Sequence, residues 1–535
     1  MRDSMDHFHG RDQKIKGRLS RQLTKNIYLI EEILKDCNDI VKKEFVSGSG
    51  RNVKAYILYT DGLTKTEMIE ESILRPLLNQ TIPDFKGDAA SKEKELYGYV
   101  TKEVLEMADL KELLSLEDVV TQVLAGNTVL LLDGCAKGVM ISSKLFPTRG
   151  VQTADQEVAM RGPKDSFTEN LRFNTALIRR RIRDSRLKVK QLVAGERSKT
   201  DVSLMYMDDL VKKDILKDIE NRLEQVSMDG ILDSGMLEQL LVRDFRTAFP
   251  CIQSTQRPDK TASALLEGRI VLVTDNSPEV LILPASFHSF FQASDDYYIR
   301  WEAASFARIL RYAAAFLSVC FPAFYVAVAS FHTEVLPTAL ILSFAQARQG
   351  IPFPVVLEVL IMELAFELLR EAGIRLPGQL GGTIGIVGGL IVGQAAVDAG
   401  IVSTIVVIVV ALTAIASFSV PNEAMATAFR ILKFFFIFMA ALWGLYGFFL
   451  AWLVLIVHLA SLESFGEPYL MADEWEQGER REKYKDYYLR LPLFTMWKRP
   501  VYTREGARIR RSIPRKKRNL GKEGNQKKQE EGSHE

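Results

Sequence analysis

The pattern of apolar and polar residues divides this chain of 535 residues into two unlike parts. Four stretches in the C-terminal half contain no Asp, Glu, Lys or Arg: Tyr312–Phe331, Leu376–Val397, Ala399–Asn422 and Phe434–Val457. A helix needs about 20 apolar residues to cross the hydrocarbon core of a membrane. The pattern therefore predicts a membrane domain over 301–460, with spans at about 309–331, 378–397, 400–420 and 431–459.

The region between the first two stretches has a different pattern. Val335–Ala347 is apolar but too short to span alone, and a Pro-rich break at 350–354 follows it. Val355–Glu371 then has a helical pattern that carries four acids and one arginine. Charged groups at membrane depth need water, protein or one another as partners. We predict a broken helical hairpin over 335–371, buried in protein or lining a wet path.

Small residues recur every four positions in the apolar stretch Leu376–Val397. They are Gly381, Gly385, Gly389 and Gly393. This spacing lets two helix backbones approach closely. The four glycines therefore predict a helix-packing face, either within one chain or between copies.

The N-terminal part has the shorter alternating pattern of strands. Val53–Tyr59 reads as a strand, and Thr128–Leu132 with Val139–Leu145 reads as a hairpin around Asp133-Gly134. A helix is predicted over Asn26–Phe45. Together these define a polar extension at 1–24, a first α/β subdomain at 25–150, a basic helical connector at 151–194 and a second α/β subdomain at 195–300. The predicted fold is multi-domain: two small α/β soluble subdomains, an α-helical multi-span membrane domain, and a basic cytoplasmic tail at 461–535.

Composition alone hides this division. The 69 basic and 67 acidic residues nearly cancel to a net charge of +2, and the mean hydropathy is +0.01. Only twelve of the charged residues lie between Tyr312 and Val457, whereas the segment 498–535 has a net charge of +8. A single soluble domain is therefore excluded.

Positive charge also predicts the orientation in the membrane. Arg300, Arg308 and Arg311 precede the first span, and the tail after the last span is basic. Because basic loops stay in the cytoplasm, both ends are expected there, after an even number of crossings. Four crossings satisfy this. Six crossings also satisfy this, if the hairpin crosses fully and places Arg348 inside. Arg430 and Lys433 would then lie on the outer side, which counts against this topology.

The residues offer no catalytic constellation. The four cysteines are far apart without a CxxC pair, and GxGxxG, GxxxxGK[ST] and HExxH are absent from the sequence. We expect no enzyme activity, no cofactor and no metal. The basic run at 171–190 lacks aromatic partners for base stacking, so nucleic acid is not an expected partner. The N-terminal residues lack a signal-peptide core, which favours a cytoplasmic N-terminal part.

Several motifs nevertheless match one known family. They are VAMRGPKDSFTENLR at 158–172, NTALIRRRI at 174–182, RSKTDV at 197–202, PFP at 352–354, REAGIRLP at 370–377, GQAA at 393–396 and FGEPY at 465–469. In this order they resemble the GerA-type spore germinant receptor A subunits, over about residues 25–500.

The resemblance implies a location and partners. A subunits of this family lie in the inner membrane of the dormant spore, with a transporter-like B subunit and a lipoprotein C subunit. Several copies are thought to form a ring that encloses an ion channel and triggers germination, while nutrient binding is assigned mainly to the B subunit. The expected partners are thus these two subunits, further copies of the chain, and membrane lipids.

Within that family reading, the acids of the broken hairpin become candidate channel residues. Rings of Glu favour cations, so Glu358, Met362, Glu363 and Glu367 are predicted to line the channel. The alternative is that the acids pair with Arg348, Arg370 or Arg375 and only hold the hairpin together. Two other functions stay open: a secondary transporter of small solutes or ions, and a non-conducting scaffold for a transporter-like partner.

Overall fold

The computed structural model describes residues 17–47, 53–83, 85, 87–145, 157, 161–242, 246–374, 380–470, 486–496, 499–507 and 509–510; side chains at 374–387 and 390 are excluded. The first subdomain is a five-stranded antiparallel sheet in the order β1-β2-β4-β5-β3. Its strands are β1 (Ile40–Ser47), β2 (Val53–Thr60), β3 (Leu110–Leu113), β4 (Thr128–Leu132) and β5 (Gly138–Ile141). Its helices are α1 (Leu23–Ile33), α2 (Thr66–Ile69), α3 (Arg75–Asn79), α4 (Ala89–Tyr99) and α5 (Leu116–Leu124), with π-turns at Glu70–Leu74 and Val100–Val104.

The predicted hairpin at Asp133-Gly134 is confirmed, because β4 pairs antiparallel with β5. The predicted helix over Asn26–Phe45 is wrong in its second half. Helix α1 ends at Ile33, Asp36 turns the chain with φ 58°, and β1 starts at Ile40. The apolar spacing of this stretch fits a helix, but full pairing of β1 with β2 favours the strand.

The second subdomain repeats the topology of the first. Its sheet has the order β6-β7-β9-β10-β8, which is the same order shifted by five strands. The strands are β6 (Leu187–Ala194), β7 (Thr200–Met207), β8 (Gln253–Thr255), β9 (Ile270–Thr274) and β10 (Val280–Leu283). The helices are α6 (Leu171–Arg181), α7 (Lys213–Glu224), α8 (Ser234–Leu241) and α9 (Pro258–Leu266). The two subdomains therefore have the same α/β topology.

The region predicted as a helical connector belongs to this second unit. It contains α6 and also β6, whose charged residues alternate with buried Leu187 and Val189. The buried guanidinium of Arg179 holds the two units together. It donates two hydrogen bonds to Asp39 of the first subdomain, at 2.7 and 2.8 Å, which is a bidentate geometry of high specificity.

A helical domain follows. Its helices are α10 (Trp301–Phe331), α11 (Thr338–Ala347), α12 (Val355–Ile374), α13 (Leu380–Asp398), α14 (Thr404–Ser417) and α15 (Glu423–Ser461). Among the described residues, α10 and α15 are long and apolar enough to cross a membrane. Short 3₁₀ turns flank the domain at Phe287–Phe290, Ser294–Tyr297 and Thr333–Val335.

Helix α15 is a hairpin, in contrast to the single span predicted over 431–459. Gly444 has non-helical angles of φ 58° and ψ −136°. The ring of Phe436 lies 5.6 Å from that of Trp452, although 16 residues of straight helix would separate them by about 24 Å. Two antiparallel arms therefore run over 423–443 and 445–461. Their free ends both face the soluble part, since Phe249 contacts Phe429 and His458.

The tail returns to the second subdomain after α15. Strands β11 (Glu463–Ser464) and β12 (Glu467–Pro468) form a small hairpin, and a short 3₁₀ turn lies at Glu505–Ala507. The hydroxyl of Tyr469 donates to the carbonyl of Pro250, and the hydroxyl of Tyr502 bonds Ser286. The described part of the predicted tail is thus packed against the fold.

Candidate functional site in the helical domain

The first predicted channel residue, Glu358, is buried at the start of α12. Its Oε2 accepts a hydrogen bond of 2.9 Å from the backbone N–H of Ser403, the N-cap of α14. Its Oε1 accepts from Arg348 at 3.3 Å. Glu358 therefore joins α12, the end of α11 and the start of α14.

Glu363 and Glu367 face the first arm of α15. The ammonium group of Lys433 lies 2.5 Å from Glu363 and 3.2 Å from Glu367. Arg430, one turn earlier, lies 3.8 Å from Glu367. Removing one partner of such a buried pair leaves an uncompensated charge, which is strongly destabilising. This cluster therefore fixes α12 against α15.

Arg370 extends the same network to α14. Its guanidinium lies 3.7 Å from Glu367, donates to the hydroxyl of Ser417 at 2.6 Å, and stacks on the ring of Phe418 at 4.9 Å. The acids of α12 are thus paired with basic residues from three places in the same chain. Lys433 was counted in the sequence as a rare membrane charge, but no local pattern identified it as the partner of Glu363.

A second face of α12 is exposed. We call it the α12 outer stripe, and it consists of the exposed Leu357, Leu364, Leu368 and Glu371 with the half-buried Ile361 between them. Met362, in contrast, is buried in the core of the helical domain. Of the four predicted channel residues, only Glu367 is partly exposed. The stripe has the alternating three- and four-residue spacing of one helix face, apolar along its length and acidic at its end.

The glycine face of α13 lies against neighbouring helices of the same chain. A Cβ on Gly389 would come within 3.0 Å of the ring of Phe366 on α12. A Cβ on Gly393 would come within 3.0 Å of Val407 on α14. Gly381 and Gly385 lie in α13, but their surroundings fall outside the described residues.

Aromatic rings join the helical domain to the second subdomain. Phe291 stacks on Tyr312 at 4.2 Å, and His288 stacks on Tyr487 at 4.5 Å. Burial, aided by the positive charge of Arg308 and opposed by a hydrogen bond with the backbone of Leu470, lowers the pKa of His288 to about 4. His288 is therefore a neutral packing residue at physiological pH.

Ion pairs reinforce this junction. The guanidinium of Arg308 is fully buried and lies 3.1 Å from Asp296 and 2.8 Å from Asp486. Arg311 also reaches Asp296, at 2.8 Å. In the sequence both arginines are only topology signals, because no local pattern indicates Asp296 or the distant Asp486 as their partner.

A cavity of about 630 Å³ lies between the second subdomain and the α14–α15 loop. Two basic residues in its wall are already paired within the chain, Arg257 with Asp259 and Lys260 with Glu157. Within the part of the chain that the structure describes, no group of three His, Cys, Asp or Glu side chains is placed to hold a metal ion.

The architecture is that of a membrane protein with a soluble, duplicated α/β part and a helical domain whose charges are internally paired. The chain belongs to the GerA family: the model of the Bacillus/Clostridium GerA spore germination protein matches residues 28–502. This confirms the family resemblance seen in the motifs.

Relatives of similar length carry germination names. Spore germination protein KA of Bacillus subtilis is 38% identical over 92% of this chain and 88% of its own length. Spore germination protein A1 of the same organism is 37% identical over 88% of this chain and 93% of its own length. A third relative has no germination name: the uncharacterized membrane protein YfkQ of Bacillus subtilis is 38% identical over 91% of this chain and 92% of its own length.

One solved structure is also similar. It is the crystal structure of the N-terminal domain of the A subunit of the Bacillus megaterium spore germinant receptor GerK3. It is 30% identical, covers 51% of this chain and 98% of its own, and superposes with a TM-score of 0.39.

Proposed function

We propose that the chain is the A subunit of a nutrient germinant receptor in the spore inner membrane, and that several copies enclose a ligand-gated ion path. A transporter-like B subunit and a lipoprotein C subunit complete the receptor. Family membership supports the role in germination. The α12 outer stripe is the observation that carries the channel part of the proposal.

The proposed topology has six crossings. They are α10, α12, α13, the uncharged stretch 399–422 that contains α14, and the two arms of α15, while α11 lies near the outer end of α10. Two contacts support this order. Gly444 at the tip of α15 lies beside His332 at the end of α10, and the other ends of α15 meet the soluble part. Arg430 and Lys433 then lie in the inner half, in agreement with positive charge on the cytoplasmic side.

The stripe fits a gated path between copies. An apolar constriction closes to ions by excluding water, and an acidic ring at its mouth favours cations. Leu357, Leu364 and Leu368 supply the first property, and Glu371 with the neighbouring Glu367 supplies the second. Glu358, Met362 and Glu363 lie on the opposite, buried face of α12 and fix it against the neighbouring helices of the same chain.

The internal pairing of the α12 acids also favours a second candidate. A non-conducting scaffold needs those ion pairs only for stability, and its α12 outer stripe would contact lipid or a partner subunit. Measurement of ion flux distinguishes the channel from the scaffold, because a scaffold conducts no ions.

Polar substitution in the stripe tests the proposal. Leu364→Asn and Leu368→Asn are expected to let water into the constriction and to raise ion release from spores without nutrient. Leu342→Asn makes the same change on the exposed face of α11 and is the matched control. Unchanged basal flux in both stripe variants, at normal receptor abundance and with the purified protein silent in bilayers, would favour the scaffold.

A further inference from the structure

The segment 486–496, which we call the strap, lies along the first turns of α10. The backbone N–H of Arg490 donates to the Ser305 hydroxyl at 3.1 Å, and that hydroxyl donates back to the Arg490 carbonyl at 2.9 Å. The ring of Tyr488 lies 5.1 Å from that of Tyr312. The strap is therefore fixed to the helix by its polar groups.

The opposite side of the strap is apolar and uncovered. Tyr488 is 60% exposed, Leu493 59% and Phe494 73%, and Leu489 is exposed beside them. Asp486 and Arg490, in contrast, are buried. This division makes the strap amphipathic, with its charges turned toward the protein and its large apolar side chains turned away. A contiguous exposed apolar patch of this kind marks an interaction surface.

Its position along α10 indicates what covers it. The uncharged part of α10 starts at Tyr312 and, at about 1.5 Å per residue, spans about 30 Å, the thickness of the hydrocarbon core. Arg308 and Ser305 precede Tyr312 by four and seven residues, or about 6 and 10 Å. The headgroup layer extends about 5–8 Å beyond the core on each side. Arg308, which pairs with Asp486, therefore lies in the headgroup layer, and Ser305, which bonds Arg490, lies just beyond its aqueous edge. The first part of the strap, 486–489, is thus at headgroup depth.

The neighbouring surface fits the same depth. Phe306, Ile309 and Leu310 are exposed within about 9 Å of the core along α10 and continue the apolar surface toward it. Trp and Tyr concentrate at the interface between membrane and water.

We propose that the strap is a lipid-binding element that lies in the headgroup layer of the inner leaflet, with Leu489, Leu493 and Phe494 inserted among the acyl chains. Its partner is a phospholipid surface. Arg308 pairs with Asp486 in the strap and with Asp296 at the junction with the second subdomain. Binding of the strap to the membrane would therefore fix the position of this junction relative to the bilayer. This role is separate from ion conduction, so it stands whether the receptor conducts or not.

Spin-label accessibility in the full-length chain tests the proposal. The native cysteines are buried, so a nitroxide directed to Leu489→Cys or Phe494→Cys reports on the strap. Leu232→Cys, at a residue of the second subdomain that is 71% exposed, is the control. The proteins are reconstituted in vesicles of phosphatidylglycerol and phosphatidylethanolamine. Collisions with oxygen, which concentrates in lipid, are compared with collisions with a water-soluble nickel chelate.

We expect a higher ratio of oxygen to nickel collisions at 489 and 494 than at 232. Leu493→Asp is expected to lower the ratio at 489 while the retention volume of the protein stays native. A ratio at both strap positions equal to that at 232 would place the strap in water and overturn the proposal. Protection from both reagents would also overturn it, because a second copy or another subunit would then cover the patch.

Discussion

Arg308 and Asp486 form a buried ion pair 2.8 Å long between residues 178 positions apart. Arg308 lies near the start of α10, and Asp486 lies in the strap beyond the last helix. The hydroxyl of Tyr297 donates to the second oxygen of Asp486 at 2.6 Å, so both carboxylate oxygens have partners. The pair thus joins the first membrane helix, the strap and the end of the second subdomain at one point.

The first prediction concerns this pair. Asp486→Asn leaves the fully buried Arg308 guanidinium with Asp296 as its one carboxylate partner, and we expect a loss of about 3–5 kcal/mol of stability. Thermal unfolding of the full chain in detergent, with limited proteolysis of the strap, measures it. Asp208→Asn removes an exposed partner of Lys213 and is expected to cost less than about 1 kcal/mol. Equal effects of the two variants would contradict the prediction.

The second prediction concerns Lys433 and Glu363. Lys433→Met leaves the buried carboxylate of Glu363 unpaired, and we expect a large loss of stability. Glu363→Gln also breaks the pair, but the double variant removes both charges and is expected to recover part of the loss. Thermal midpoints of the four proteins form a double-mutant cycle. Additive effects would show that the two residues act independently.

The third prediction concerns the reversal in α15. A Cβ on Gly444 would lie 2.8 Å from His332 and 2.9 Å from Phe331, and one on Gly447 would collide with the carbonyl oxygen of Met439. Gly444→Ala and Gly447→Ala are therefore expected to reduce the yield of folded protein sharply.

Gly400 is the matched control for Gly444. It also has a positive φ, of 64° against 58°, but nothing lies within 4 Å of its added Cβ. Gly400→Ala therefore carries the backbone strain without the clash, a cost of about 1–3 kcal/mol. Gel filtration of membrane extracts compares the variants. A yield of Gly444→Ala as high as that of Gly400→Ala would argue against the tight hairpin.

The fourth prediction concerns pH. Burial lowers the pKa of His288 to about 4, whereas an unfolded histidine titrates near 6.5. The unfolded state then binds more protons between these values, so stability is full above about pH 6.5 and falls as the pH drops toward 4. The loss is about 3 kcal/mol at most, since one pKa unit corresponds to about 1.4 kcal/mol.

His288→Gln removes this titration. The difference in unfolding temperature between the variant and the native protein is expected to change between pH 7 and pH 4.5, in favour of the variant at the acid end. A constant difference across that range would mean that His288 titrates normally in the folded protein.

Local sequence patterns predicted the structure correctly where it depends on residues that are close together in the chain. The short apolar run in Val53–Tyr59, ended by Asp61-Gly62, predicted β2. Asp133-Gly134 predicted a hairpin, because the turn and its strands are adjacent in sequence. The break at Pro352 and Pro354 likewise separated α11 from α12, because proline ends a helix whatever surrounds it.

The parts that prediction missed depend on distant residues. Gly444 is one glycine in a long apolar run, and only its packing against Phe331 and His332 reveals a reversal. Lys433 and Glu363 are 70 residues apart, so no spacing rule pairs them. The repeated topology of the two sheets escaped as well, because their loops and helices differ in length. Neither the channel-lining set nor the domain boundaries is tested by these observations, and both stay predictions.

The return of the tail to the second subdomain has a consequence for biosynthesis. A ribosome makes residues 195–290 long before it makes 462–510, with the whole helical domain in between. Until then the backbone of Ala285 and Phe287 lacks Ser464 and Tyr469, and the carbonyl of Leu210 lacks Arg504. The second subdomain is therefore completed last, after membrane insertion. A chain that stops early, or inserts with the wrong orientation, leaves this surface open for quality control to recognise.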